Sequence, residues 1–185
     1  MLYKPDFAAA QERVRAFWAH DCVGRCGLQV VARSEDYQPP TEDGTDPVTR
    51  KTNVEYALQR AERDFQNHRY LAEAVPIYVP GLVCSDMAAF LTEEITIMED
   101  TVWYRPVIED WQAFRLTFDP NNRWWQLTKR MAEAAAERGE GRYLVAIPDF
   151  QVAIDIVSLM RSPDRLCLDL FENRDSVQAA TRFIL

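Results

Sequence analysis

Histidine occurs twice and glycine six times in the 185 residues of this chain. Six glycines leave no room for a glycine-rich loop that could cradle phosphates, and no nucleotide-binding signature is present. With two histidines, each beside a helix end or on a charged face, no Ser-His-Asp order can be assembled. No apolar run approaches the ~20 residues that cross a bilayer. The stretch MLYKPDFAAAQERVRAFW carries charges where a signal peptide needs its apolar core. A cytoplasmic protein is therefore expected, with its four cysteines as reduced thiols. Positive charge is scarce too: 21 Lys and Arg against 29 Asp and Glu give a net charge of -8. Such a surface repels nucleic-acid backbones and anionic membranes, so neither is an expected partner. A small-molecule substrate is compatible with it, because one local basic pocket can sit inside an acidic protein.

What is present is a core. Hydrophobic residues make up 48 % of the chain and charged residues 27 %, the balance of a globular protein. Five Trp, seven Tyr and nine Phe exclude a disordered composition. Helical spacing is expected over 6–20, where Phe7, Val14, Phe17 and Trp18 fall near one face, and over 52–73. Strands are expected over 27–33, 75–80, 94–98 and 142–149. Ser85 heads a short helix, DMAAFL, and another short helix is read over 108–116. The clearest helix spans 119–138 and is closed by Gly139 and Gly141. Three more follow over 151–160, 163–172 and 174–185, with Ser162 as cap and Pro163 at the first helical position of the second. Residues 34–51, with three of the ten prolines, read as a long loop. Strands that alternate with helices of this length imply parallel βαβ units. With three or four strands and an end on TRFIL in mid-helix, the expectation is an open sheet or the N-terminal part of a longer protein.

The run His20-Asp21-Cys22-Val23-Gly24-Arg25-Cys26 is the most metal-like in the chain. The Cys22–Cys26 spacing fits a zinc knuckle, but no second cysteine pair follows and a closed zinc site needs four ligands. A redox pair is more usually C-x-x-C. The reading that fits the surroundings is a helix end, a turn at Gly24 and the approach to the first strand, with no metal site.

Two stretches carry a family resemblance. EDTVWYRPVIEDWQAFRLTFDPNNRWWQLTKRMAEAA holds TVW-x-x-P-x-I-x-D-W followed by N-x-x-W-W. YLVAIPDFQVAIDIVSLMRSPDRLCLDLFENRDSV holds Asp155-Ile156, Arg161-Ser162, Leu166, Asp169-Leu170 and Val177 at a recurrent spacing. In succession they resemble the uroporphyrinogen decarboxylase-like superfamily, in its uncharacterised branch related to the corrinoid and coenzyme M methyltransferases. The resemblance runs in order over roughly 10–185. It implies an α/β fold, the N-terminal portion of a (β/α)8 TIM barrel, which needs ~250 residues when complete. It also implies decarboxylation or methyl transfer in the full-length protein. The chain is then a single partial domain over 1–185, truncated at the C-terminus and inactive alone. No cofactor is expected in this chain; the resemblance allows zinc in the full-length protein if it is of the methyltransferase type, since those enzymes bind it through residues of the C-terminal half. The arginine-rich R-Q-A-G-R loop of the haem-pathway decarboxylase has no counterpart here. Cys84-Ser85-Asp86-Met87 looks similar to the F-S-D-I segment of that enzyme, although Asp86 lies several residues beyond the strand, out of the family's register.

In a parallel barrel the working face lies at the C-terminal ends of the strands. That rule selects Arg33, Tyr78, Trp103, Tyr104 and Gln151 for substrate binding and Asp149 for catalysis. Arg33 could clamp a carboxylate, or pair with Glu35 or Asp36 on the surface. Asp149 could shuttle a proton or stabilise a cationic intermediate, and could equally cap the helix over 151–160. Trp103 suits a pocket wall or plain core. Two other readings stay open: a non-catalytic α/β binding or scaffold domain, and a half-barrel that associates with a second copy into a homo-oligomer through its open strand edge.

Overall fold

A computed structural model describes residues 1–40, 43–82 and 85–185. In chain order the elements are α1 (Phe7–Trp18), β1 (Gln29–Arg33), α2 (Pro47–Thr52), α3 (Val54–Asn67), β2 (His68–Ala72), β3 (Ile77–Tyr78), α4 (Asp86–Thr92), β4 (Ile95–Ile97), β5 (Val102–Tyr104), α5 (Arg123–Gly139), β6 (Leu144–Val145), α6 (Ala153–Arg161), α7 (Pro163–Glu172) and α8 (Arg174–Ile184). They form two compact units. The first comprises Met1–Thr45, Asn53–Pro80 and Ala132–Ile147; the second comprises Asp46–Thr52, Gly81–Met131 and Pro148–Leu185.

In the first unit, α3 begins where the Asn53 side chain accepts a hydrogen bond from the Tyr56 N–H at 3.0 Å, which satisfies one free amide of the first turn. Its buried face carries Leu58 and Phe65, which pack with Tyr78, Ala135 and Tyr143. Glu62 lies on that same face and is buried. Two arginines neutralise it: Arg138 donates at 2.8 Å, and Arg142 lies 2.7 Å from the other carboxylate oxygen. The chain leaves α3 directly into β2, which pairs antiparallel with β1 from Gln29↔Ala72 to Arg33↔His68. Lys4, almost fully buried, ties the N-terminal segment to this ladder through the Tyr70 and Ala72 carbonyls, both at 2.8 Å.

In the second unit, β4 and β5 form an antiparallel hairpin, Ile95↔Tyr104 to Ile97↔Val102. Asn122 starts α5. Its Oδ1 accepts from the Trp124 and Trp125 amides, and its Nδ2 donates to the Ala89 and Phe90 carbonyls at 3.0 Å, so one buried side chain caps α5 and closes the end of α4. Ala88, Ile108, Ile156 and Met160 make one core cluster, and Val157, Leu166, Val177 and Ala180 a second. Arg161 bridges α6 to α7 by pairing with the buried Asp169 at 2.5 Å, and also donates to the Ile108 and Glu109 carbonyls. Burial works against the Asp169 carboxylate, but hydrogen bonds from Arg161 and Asn173 oppose it, and its pKa is lowered.

The α/β class holds, and the helices of the C-terminal third lie where their periodicity puts them. The parallel sheet is smaller than the alternating order implies. Among the described residues β3–β6 is the one parallel pair; β1–β2 and β4–β5 are antiparallel, and no barrel-like parallel sheet is evident. Residues 68–72 are strand, where helical spacing had continued through them, because β1 offers them a ladder. Residues 108–116 are turns and coil, not a helix. Ser85 and Ser162 make no side-chain cap bonds, although Pro163 does open α7. Phe17 and Trp18 pack edge to face on each other and stay exposed, so Ala10 alone buries the inner face of α1.

Candidate functional site

The second unit holds a buried acid whose surroundings make it harder to ionise. Asp86 opens α4, and its side chain is 1 % exposed. Gly81 permits this position. It adopts φ +131°, and a Cβ built on it would lie 2.1 Å from the Asp86 Oδ2, so the carboxyl occupies space that only glycine leaves free. The Leu82 N–H donates to Asp86 Oδ1 at 2.7 Å. The Asp86 N–H in turn donates to the Asp149 carbonyl at 3.0 Å, which brings the segment after β6 beside the start of α4. Burial pushes the Asp86 carboxyl up from 3.8 to about 6; the Asp149 charge adds to the rise, and backbone amides oppose it.

Asp149 is half-buried, and its Oδ1 accepts from the Gln151 N–H at 3.2 Å. That bond forms a tight Asx-type turn in which Gln151 takes φ +50°. Aromatic rings stand alongside. Phe90, one turn beyond Asp86, lies 6.3 Å from Phe150 and 5.4 Å from Trp125, both in edge-to-face geometry, and Trp125 meets Phe118 at 5.6 Å. The arrangement is therefore two carboxyl groups on adjacent segments, with an edge-to-face aromatic cluster on the same elements. Chemically, an acid raised to about 6 can give up and take back a proton within reach of neutral pH.

The residues selected from the sequence fall in both units. Asp149 and Gln151 are neighbours in the second, as just described. Trp103 and Tyr104 lie on β5 of the same unit. Trp103 points to solvent and is 67 % exposed, so it is not core; Tyr104 is half-buried against the Ala88–Ile156 cluster. Arg33 and Tyr78 belong to the first unit. Arg33 ends β1 with its guanidinium 4.5 Å from the Tyr37 ring centroid, and its surface partner is that ring rather than Glu35 or Asp36. Tyr78 is buried in the α3 core, and burial pushes its hydroxyl up to about 12. Asp149 does not cap α6, whose N-cap is Val152.

Asp86 is the residue that the strand-end rule misses, because it follows β3 at a distance and opens a helix. The signal that could have found it is the Gly81–Asp86 spacing, a glycine before an acid at a helix start. Cys84, its companion in the similarity to F-S-D-I, lies outside the described residues.

Two open cavities, of about 490 and 550 Å³, lie in the first unit, and none of the six selected residues lines either. Among the described residues no group of three or more His, Cys, Asp or Glu is placed to hold a metal ion. Among them, too, no helix is long and apolar enough to cross a membrane. Comparison of the chain with protein-family models, curated proteins and solved structures finds no match in any of the three.

Proposed function

We propose that this chain carries the opening strands and helices of a uroporphyrinogen decarboxylase-like enzyme, with Asp86 and Asp149 as its proton-handling pair. The observation that carries the reading is the buried Asp86 carboxyl, raised to about 6 beside the Asp149 carboxylate. Cofactor-free decarboxylation needs an acid that delivers a proton to the carbanion equivalent left after carbon dioxide departs. Asp86 is the proposed acid because its raised carboxyl keeps a proton to higher pH than an ordinary aspartate, and Asp149 is the proposed neighbour that favours a cationic intermediate. Trp103, Tyr104 and Gln151, which belong to the same unit as the acid pair, remain proposed substrate contacts of the complete protein. In the finer reading the fold is the first part of a TIM barrel, with the missing strands supplied by the full-length polypeptide. If that polypeptide also carries a late His-x-Cys and a distant Cys, zinc-assisted methyl transfer replaces decarboxylation.

The test uses the natural full-length protein with a panel of ring carboxylic acids and methyl donors, reading carbon dioxide release and methyl transfer. Turnover that falls at least a hundredfold in Asp86→Asn, with the fold intact, supports the assignment. Turnover unchanged by that substitution refutes it.

A second reading has one observation in its favour. Leu168 and Phe171 project from α7 into solvent, Phe171 at 89 % exposure, and Phe183 does so from α8. Such apolar exposure suits a self-associating binding or scaffold domain. A concentration-independent monomer in sedimentation would remove that support.

A further inference from the structure

The Cys22–Cys26 loop lies in the first unit and takes no part in the proposed proton chemistry. Both thiols are free and exposed. Gly24 turns the loop with φ +76°, and nothing lies within 4 Å of where its Cβ would be, so the tip is open to a reagent. The turn points Cys22 back along the chain: its Sγ donates to the Arg25 carbonyl at 2.9 Å. That carbonyl belongs to the peptide that continues into Cys26, so the first sulfur rests one peptide bond short of the residue that bears the second.

The far side of the loop is held rigidly. The Arg25 guanidinium donates to the Cys26 carbonyl at 2.8 Å and to both oxygens of Glu73, at 2.7 and 2.8 Å. Glu73 is buried, accepts the Leu28 N–H at 2.8 Å and pairs with Arg13 as well. Cys26 is therefore anchored through its carbonyl to the approach to β1, while Cys22 lies at the other end of the five-residue loop and donates its N–H to Asp21 Oδ1 at 2.7 Å. Closing a sulfur–sulfur bond replaces the weak thiol contact to the Arg25 carbonyl and leaves the Glu73 anchor in place. Such a bond asks for Cα atoms about 4.4–6.8 Å apart, and the four-residue separation with a left-handed turn at Gly24 folds the two cysteines toward one another. Among the described residues no group of three metal-ligating side chains exists that would claim the thiols instead.

We propose that Cys22 and Cys26 form a reversible dithiol–disulfide site that exchanges with low-molecular-weight disulfides. One thiolate attacks the reagent disulfide, forms a mixed disulfide and expels one thiolate. The second cysteine sulfur then attacks the first, forms the Cys22–Cys26 bond and expels the other. Two protein thiols are oxidised, one reagent disulfide is reduced to two thiols, and both thiol protons pass to those products.

The sequence provides the assay. Trypsin cuts after Arg15, Arg25 and Arg33, so Cys22 falls in peptide 16–25 and Cys26 in peptide 26–33. The whole protein is equilibrated in glutathione buffers of graded redox ratio, quenched with an alkylating reagent, denatured and digested. The expected result is a single linked 16–25/26–33 species that grows as the buffer becomes more oxidising and disappears with dithiothreitol. Cys26→Ser, at an exposed position, should lose the linked species and hold glutathione on Cys22. Two separate peptides in the wild type, each alkylated or each bearing its own glutathione, would overturn the proposal. So would linkage of either peptide to the Cys84 or Cys167 peptide.

Discussion

Replacing Asp86 with Asn should stabilise the protein at alkaline pH and leave it little changed in acid. Asp86 is buried, and its folded carboxyl is raised from 3.8 to about 6. Below the unfolded value the group is neutral in both states and contributes no penalty. Between the two values the unfolded chain ionises while the folded chain keeps its proton, and stability falls as pH rises. Above the folded value the full penalty is present. A shift of about two units corresponds to about 3 kcal/mol. Asn has nearly the same volume, keeps an oxygen for the Leu82 N–H and carries no charge to desolvate. The gain at about pH 8 should therefore approach 3 kcal/mol, or about 6–12 °C in Tm for a chain of this size. Urea melts of both proteins at about pH 4 and about pH 8 measure it. An Asn variant that is less stable at about pH 8, or that shifts stability equally at both values, would refute the burial argument. The combination of higher stability and lost turnover is what a residue retained for chemistry should show.

Gly81→Ala should push the Asp86 carboxyl off the Leu82 amide and strain the backbone at φ +131°, at a cost of about 2–4 kcal/mol in a thermal or urea melt. Asn122→Ala removes the α5 cap and one hydrogen bond from each of the Ala89 and Phe90 carbonyls; a loss of about 2–3 kcal/mol is expected by the same melts. Asp169→Ala strands Arg161 among Ile108, Glu109 and Trp111, and should cost about 3–5 kcal/mol. Because the Asp169 pKa is lowered in the fold, the wild-type advantage over Asp169→Ala should be complete above the unfolded value. It should fade as pH falls through the folded value, which a pH series of melts would reveal.

Local signals carry the reading of this chain where local forces decide the structure. The helices α5 to α8 are legible because each buries a stripe at helical spacing, and Pro163 marks the start of α7. Residues 68–72 are misread because Leu71 and Ala72 continue the spacing of α3, whereas the ladder to β1 is a long-range partner that no local pattern announces. Phe17 and Trp18 form a plausible face in sequence, but in the fold they stay exposed and the stripe has no partner beyond Ala10. Asp149 could be selected as a strand-end acid. Asp86 could not be ranked, because its proton affinity comes from burial under Gly81 and from the arrival of Asp149, two facts of tertiary packing.

The account rests on one proton. A carbon-13 titration of the Asp and Glu carboxyls, with Asp86→Asn used to assign the resonance, follows it directly. The expected result is one carboxyl with a midpoint of about 6 that is absent from the variant. A wild-type spectrum in which the Asp86 carboxyl titrates at or below the ordinary carboxylate range would contradict the proposed acid.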